Sequence, residues 1–315
     1  MRKAFHEELL KIAQVDPRVF LLLGDLGYGE VEAFAKSCPD QFCNVGVAEQ
    51  NMAGIACGLA MEGYIVVIYS IANFPILRCL EQIRNDICYH GANVKIVTTG
   101  SGLAYGPHGM SHHNTEDIAI MRALPEIVVL SPADCLEARG AVRAMMAHDG
   151  PIYYRCGYKN EPDLHGGQID FQIGRAIPVR DGRHVTLIGA GPITYRALGA
   201  AELLARDGIE ARVISMATIK PIDKSAIITA GRETGAIVTI EEHNVIGGLG
   251  GAVAEVLAET GTNVAFKAIG IPDTYVRVVG THGWLLDRYG FSPQSIAEIA
   301  KGVIRRRQWP SHVPA

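Results

Sequence analysis

The stretch Glu49-Gln50-Asn51-Met52-Ala53-Gly54-Ile55-Ala56-Cys57-Gly58-Leu59-Ala60-Met61 is followed, after Glu62-Gly63-Tyr64, by Ile65-Val66-Val67-Ile68-Tyr69. The first part reads as a helix opened by an acid and packed with small residues. The second is an unbroken apolar run with no polar alternation. A strand of that kind is covered on both faces, which is the condition of a parallel sheet between helices. Outward from it the pattern repeats. Strands are expected at 19–23, 42–45, 94–98, 127–130 and 152–155, and helices at 3–14, 75–89, 118–123 and 136–147. A Gly- and His-rich loop spans 100–115. After a Gly/Pro-rich linker a second α/β pattern follows, with strands at 185–188, 211–214, 237–240 and 264–269 and helices at 193–205, 226–230, 250–259 and 295–307. The expected fold is α/β with two domains, each a mainly parallel sheet covered by helices: residues 1–160, a linker 161–180, and residues 181–315. Working residues of such sheets sit at the carboxyl ends of the strands. That places Asp25, Tyr69, the 100–115 loop and Arg155 at the expected site.

Composition narrows the function classes. Of 315 residues, 48% are hydrophobic, enough for real cores, and the net charge is −4. The nearest thing to a basic run is Arg305-Arg306-Arg307 at the end of the last helix, where cations complement the helix dipole. Nucleic-acid binding is therefore not expected. Seven cysteines without a CxxC pair read as scattered reduced thiols. The start Met1-Arg2-Lys3 leads into an amphipathic pattern rather than a secretory leader, and no apolar run reaches the roughly 18 residues that span a membrane. The expected location is cytoplasmic, with no membrane partner.

Four features invite chemistry. Gly189-Ala190-Gly191-Pro192 lies between strand and helix but lacks the third glycine of a dinucleotide fingerprint, and reads as a tight turn. Gly247-Gly248-Leu249-Gly250-Gly251 opens a helix and could receive an anion there or simply allow close packing. His108, His112 and His113 cluster, but no Cys or carboxylate stands at ligand spacing beyond Glu116 and Asp117, which suit a helix's first turn. A loop of titratable imidazoles facing substrate fits better than a metal site. Glu49 alone is an acid in a first helical turn; the Ala/Gly packing behind it implies close approach of another backbone and a partly desolvated carboxylate.

Taken together, VGVAEQNMAGIACGLAMEGY, IRNDI, MRALPEIVVLSPAD, IVTIEEHNVIGGLGGAVAEVL and the opening MRKAFHEELL resemble the transketolase family over about residues 1–310. That family includes transketolase, deoxyxylulose-phosphate synthase and the beta subunits of 2-oxo acid dehydrogenases. The resemblance implies a pyrimidine-binding domain followed by the transketolase C-terminal domain. It implies thiamine diphosphate, with Mg²⁺ held mainly by a diphosphate-binding domain that carries a Gly-Asp-Gly motif and a downstream Asn. No Gly-Asp-Gly occurs here; His148-Asp149-Gly150 and Arg180-Asp181-Gly182 lack the first glycine. The implied partner is a separate N-terminal transketolase subunit, in an α2β2 heterotetramer that also pairs two copies of this chain.

The resemblance assigns roles residue by residue. Glu49 matches the carboxylate that tunes the cofactor's aminopyrimidine so that thiamine C2 can lose its proton. Phe74 matches the aromatic that stacks on that ring, with Tyr69 and Ile71 flanking it; Ile71 stands where an aromatic is common. His112 matches the substrate-contacting histidine, and Asp25 the acid at the end of the first strand near cofactor and dimer contact. Arg2 and Arg155 match arginines that hold a sugar phosphate, a task for a bidentate fork. The departures are His108 in place of an Asp, Gly100 in place of a phosphate-contacting His, and Gly29 in place of a Ser. They point to a sugar other than an ordinary pentose phosphate. Two-carbon ketol transfer is the first expectation. The alternatives are a 2-oxo acid dehydrogenase beta subunit, a deoxyxylulose-phosphate-synthase-like enzyme, and a non-catalytic partner that keeps the fold.

Overall fold

The computed structural model describes residues 1–158 and 161–307. Among these described residues twelve strands form two sheets: β1 Val19–Leu23, β2 Phe42–Asn44, β3 Ile65–Ile71, β4 Val94–Thr99, β5 Val128–Leu130, β6 Ile152–Cys156, β7 Ile177–Arg180, β8 Val185–Ala190, β9 Ala211–Ser215, β10 Thr218–Lys220, β11 Ala236–Asn244 and β12 Ala265–Ile271. The larger sheet has the order β10-β5-β6-β4-β3-β1-β2, the smaller β12-β11-β8-β9-β7. Both are parallel apart from one antiparallel edge strand each, β10 and β7. This is the α/β class expected.

The unbroken apolar strands have the burial they imply. β3 is buried from Ile65 through Ser70, with β1 on one side and β4 on the other. Alternate side chains enter opposite layers: Val66 and Ile68 pack into one core, Val67 and Tyr69 into the other. Each such apolar side chain is worth about 1.5–3 kcal/mol in transfer free energy. In the Glu49–Met61 helix Met52, Ala53, Ala56 and Cys57 face the core, whereas Gly54 and Gly58 are exposed, with open space where a side chain would stand. Gly54 and Gly58 therefore have no close neighbour from elsewhere in this chain, whereas Ala53 and Ala56 pack against its core. All seven cysteines are free, and Cys43 is exposed.

Beyond two short helices that the sequence did not announce, Glu32–Ser37 and His282–Arg288, three elements depart from the sequence expectation. The stretch read as a linker to residue 180 ends in β7, which pairs antiparallel with β9. Thr218–Lys220, which carries no strand signal of its own, crosses back to pair antiparallel with β5 and so extends the first sheet. The expected 75–89 helix is broken: α-helix runs Asn73–Arg78, and a π-helical turn occupies Ile83–Cys88. One apolar core joins the two halves, since Ile188, Ile214, Met216 and Leu249 pack with Ile68, Ile96 and Ile118.

Candidate active site

Three elements converge on Glu49. β1 ends at Leu23, just before Gly24, β3 brings Ser70, and the Glu49–Met61 helix begins; a side chain built on Gly24 would stand 3.6 Å from Ser70 Oγ and 3.8 Å from Glu49 Cγ. Asn44, at the end of β2, ties the loops together by accepting the N–H groups of Asp25 at 3.1 Å and Gly46 at 3.0 Å on its Oδ1. Glu49 itself is only 4% exposed. A buried carboxylate without a partner costs several kcal/mol, so a counter-charge is required. Arg78 supplies it. Its Nη1 donates to Glu49 Oε1 at 2.9 Å and Oε2 at 3.0 Å, and its guanidinium lies 4.3 Å from the centre of the Phe74 ring. Phe74 and Arg78 stand four residues apart on one helix, the spacing that puts side chains over one another.

From Phe74 a row of rings leads away. The His112 ring is 5.4 Å from Phe74, His108 5.0 Å from His112, Tyr105 5.5 Å from His108, and Tyr158 4.6 Å from Tyr105. Arg2 lies 4.6 Å over Tyr158, and its Nη2 pairs with Glu30 Oε1 at 2.9 Å. The loop that carries the histidines is tied down by Asn73, whose Nδ2 donates to the Ser111 carbonyl at 2.9 Å. Burial and then the neighbouring His108 lower the pKa of His112, which favours a neutral imidazole able to share a hydrogen bond with a hydroxyl. Its Nδ1 lies 2.9 Å from Ser111 Oγ. Beyond Tyr105 and His108 a cavity of about 860 Å³ opens between the two domains, lined also by Tyr158, Arg196, Glu242 and His282. Glu242 holds His282 at 2.8 Å and raises its pKa.

The structure therefore brings together Glu49, Phe74, His108 and His112, and through the tyrosines Arg2. Ile71 is half-buried at the carboxyl end of β3. Asp25 stands exposed at the end of β1 with a φ of 55°, a left-handed conformation that Asp tolerates. Its Oδ1 accepts from Asn44 Nδ2 at 3.0 Å and Tyr28 Oη at 3.1 Å, and these bonds lower its pKa.

Two residues are placed otherwise than the sequence reading expected. Tyr69 does not flank Glu49. It is fully buried on the opposite face of β3, against Phe5 and His6, because strand side chains alternate and Ser70 takes the inward position. Arg155 does not face an open site. It is 1% exposed, with Nε on Asp117 Oδ2 at 2.7 Å and Nη2 on the carbonyls of Asn114 and Glu242 at 3.0 and 2.9 Å. Its donors hold the 100–115 loop and β11 together. The helix start at Gly247–Gly251, which the sequence left open to an anion or to close packing, is filled from within: Glu241 accepts the N–H groups of Leu249 and Gly250 at 2.6 and 2.8 Å, and a Cβ on Gly250 would meet Ala268. Gly189 and Gly191 serve a tight turn, with Thr194 packed against the first.

Sequence reading passed over Arg78, Ser70, Tyr105 and Glu30. Arg78 carried a signal, its spacing from Phe74. Ser70 carried another, since its parity on β3 is opposite to that of Tyr69. The contact of Glu30 with Arg2 crosses from a loop to the first helix and has no local signature.

A buried carboxylate beside a half-exposed aromatic face suits an aminopyrimidine: one group for a ring nitrogen, one for the ring plane. The Arg78 guanidinium, planar and donating, stands in that seat, so the seat admits a flat hydrogen-bonding group. Among the described residues no three of His, Cys, Asp or Glu come together to hold a metal.

The family profile described as "Transketolase, pyrimidine binding domain" matches residues 1–160, and "Transketolase, C-terminal domain" matches residues 174–296. The chain is 41% identical to a putative transketolase C-terminal section of Methanocaldococcus jannaschii, covering 95% of this chain and 94% of that one. It is 38% identical to one of the subunits of the apulose-4-phosphate transketolase of Phocaeicola vulgatus, covering 97% of each. Among solved structures a split-gene transketolase, described as an inactive β4 tetramer, superposes with a TM-score of 0.88 at 37% identity over 98% of both chains.

Proposed function

The chain belongs to the transketolase family, and from that premise we propose that it is one subunit of a two-chain, thiamine-diphosphate-dependent transketolase. It transfers a two-carbon ketol unit from a ketose donor to an aldose acceptor. The observation that carries this reading is the juxtaposition of the buried Glu49 carboxylate with the Phe74 ring. In the working enzyme Glu49 holds a proton at a pyrimidine nitrogen, Phe74 orients the ring, and His112 and His108 meet the sugar's oxygens. The cofactor supplies the carbanion chemistry that no side chain can.

The partner is an N-terminal, diphosphate-binding subunit that carries Mg²⁺, in an α2β2 heterotetramer in the cytoplasm. Two features support a completing partner. Relatives described as a transketolase "C-terminal section" and as a single subunit of a transketolase match this chain over nearly their whole length. Apolar residues on the site's own segments face outward: Val47 in the loop before Glu49, and Leu77 and Met110, which line one pocket with Asn73 and His113. The exposed Gly54, Ile55 and Gly58 on the Glu49 helix offer a second copy a close-approach surface. No helix among the described residues is long and apolar enough to cross a membrane.

The sugar is not an ordinary pentose phosphate. Arg2, one of two arginines that would grip a phosphate, is neutralised by Glu30, and the other, Arg155, is spent on Asp117. A modified or branched sugar fits such a site better. The test is to assemble the chain with a Gly-Asp-Gly partner, thiamine diphosphate and Mg²⁺, and to assay ketol transfer. Full activity on xylulose 5-phosphate with ribose 5-phosphate would sink the substrate reading. Acyl transfer to a lipoyl carrier in place of ketol transfer would sink the transketolase reading.

A further inference from the structure

We propose that Arg78 is a placeholder for the cofactor ring, which it must vacate before the ring can seat. The inference rests on the reading of Glu49 and Phe74 as the pyrimidine seat. Arg78 makes both contacts that such a ring needs: it takes both oxygens of Glu49 and covers the face of Phe74. Two flat groups cannot share one carboxylate and one ring face, so the guanidinium and the pyrimidine compete.

The arrangement follows from the burial of Glu49. Without the ring, its carboxylate lies in a low-dielectric niche with Ser70 and Met52, and Ser70 Oγ has no hydrogen-bond partner of its own there. The charge needs a counter-ion. A fixed, fully buried arginine would meet that need permanently, as Arg155 does for Asp117. Arg78 is different, since 49% of its side chain is exposed and it reaches the niche from the C-terminal end of a six-residue helix. A long, solvent-anchored side chain leaves cheaply, because its charge is rehydrated as it goes. The niche is thus protected while empty and accessible when the ring arrives. The outward-facing Leu77 adjoins Arg78, so a partner chain docking on this face would act on the same segment. Arg78 on this account sets the apparent affinity for the cofactor rather than the chemistry. Affinity is reduced by the fraction of molecules in which the seat is open.

The test uses equilibrium binding. Titration calorimetry would follow thiamine diphosphate with Mg²⁺ on the two-chain complex, and the isolated aminopyrimidine moiety (4-amino-2-methyl-5-hydroxymethylpyrimidine) on this chain alone. If the seat is closed in about nine molecules of ten, Arg78→Met tightens both by about tenfold, and Arg78→Lys, which keeps a charge but loses the fork, falls between. An Arg78→Met affinity equal to or weaker than wild type would overturn the proposal and make Arg78 a permanent positioning residue for Glu49. Phe74→Ala separates this from failure of the underlying reading. If the seat is right, that change weakens cofactor binding whatever Arg78 does. If it leaves binding untouched, the seat is elsewhere and the proposal falls with it.

Discussion

Arg78 Nη1 lies 2.9 and 3.0 Å from the two oxygens of Glu49, so the one acid at the centre of the site is held by a side chain four residues beyond the aromatic that walls it. Glu49 is buried but its partner is half in water, and this asymmetry separates fold from function. Removal of Glu49 leaves only a solvent-accessible cation unpaired, which destabilises little.

Glu49→Gln in the assembled enzyme is accordingly expected to keep the melting temperature close to wild type. It should cut turnover by about 10²–10⁴-fold, the range of a lost proton-handling group. Parallel thermal melts and ketol-transfer rates check it. A large drop in melting temperature with unchanged specific activity would mark Glu49 as structural only.

Arg155 and Asp117 predict the reverse. Both are buried, and Asp117 also accepts a hydrogen bond from Tyr153. Asp117→Ala leaves the Arg155 charge uncompensated in the core and should cost about 3–5 kcal/mol of stability. Urea unfolding followed by circular dichroism measures it. A cost below about 1 kcal/mol, with KM for sugar raised instead, would return Arg155 to the substrate site.

The architecture was readable because strand burial writes itself into composition: 19–23 and 65–69 are apolar throughout, 94–98 is apolar apart from Lys95 and Thr98, and every one is a strand. Glu49, Phe74, His108 and His112 were readable because the motifs around them are local. The positions of Tyr69 and Arg155 were not. Which face a strand residue takes depends on register against both neighbours, and Asp117, which claims Arg155, lies 38 residues away. Nor was β10, three residues whose strand character comes wholly from pairing with β5.

His6 gives a pH signature. Burial, and secondarily Arg2, lower its pKa to about 4. The unfolded chain therefore takes up this proton first as pH falls below about 6.5, and stability is lost progressively down to pH 4. The full difference corresponds to about 3 kcal/mol. Glu30, 3.7 Å away with its pKa raised by burial, works in the opposite sense. The contrast between wild type and His6→Phe is the readout: the variant's unfolding free energy should fall less steeply between pH 6.5 and 4. Identical slopes would contradict the assignment.

Glu30→Gln releases Arg2 from its ion pair. The assembled enzyme should then gain on phosphate-ended sugars, with KM falling about tenfold, the worth of roughly 1.4 kcal/mol for one charge-assisted contact. Steady-state kinetics on one sugar with and without its phosphate measures this. An unchanged ratio would show that Arg2 does not meet the substrate.

Whether this chain holds half of an active site built around Glu49 is tested most directly by ketol transfer measured on four samples in thiamine diphosphate and Mg²⁺: this chain alone, the Gly-Asp-Gly partner alone, the two together, and the two together with Glu49→Ala. Turnover in the third sample only is the expected result. Turnover by this chain alone, or undiminished turnover in the fourth sample, would contradict the account.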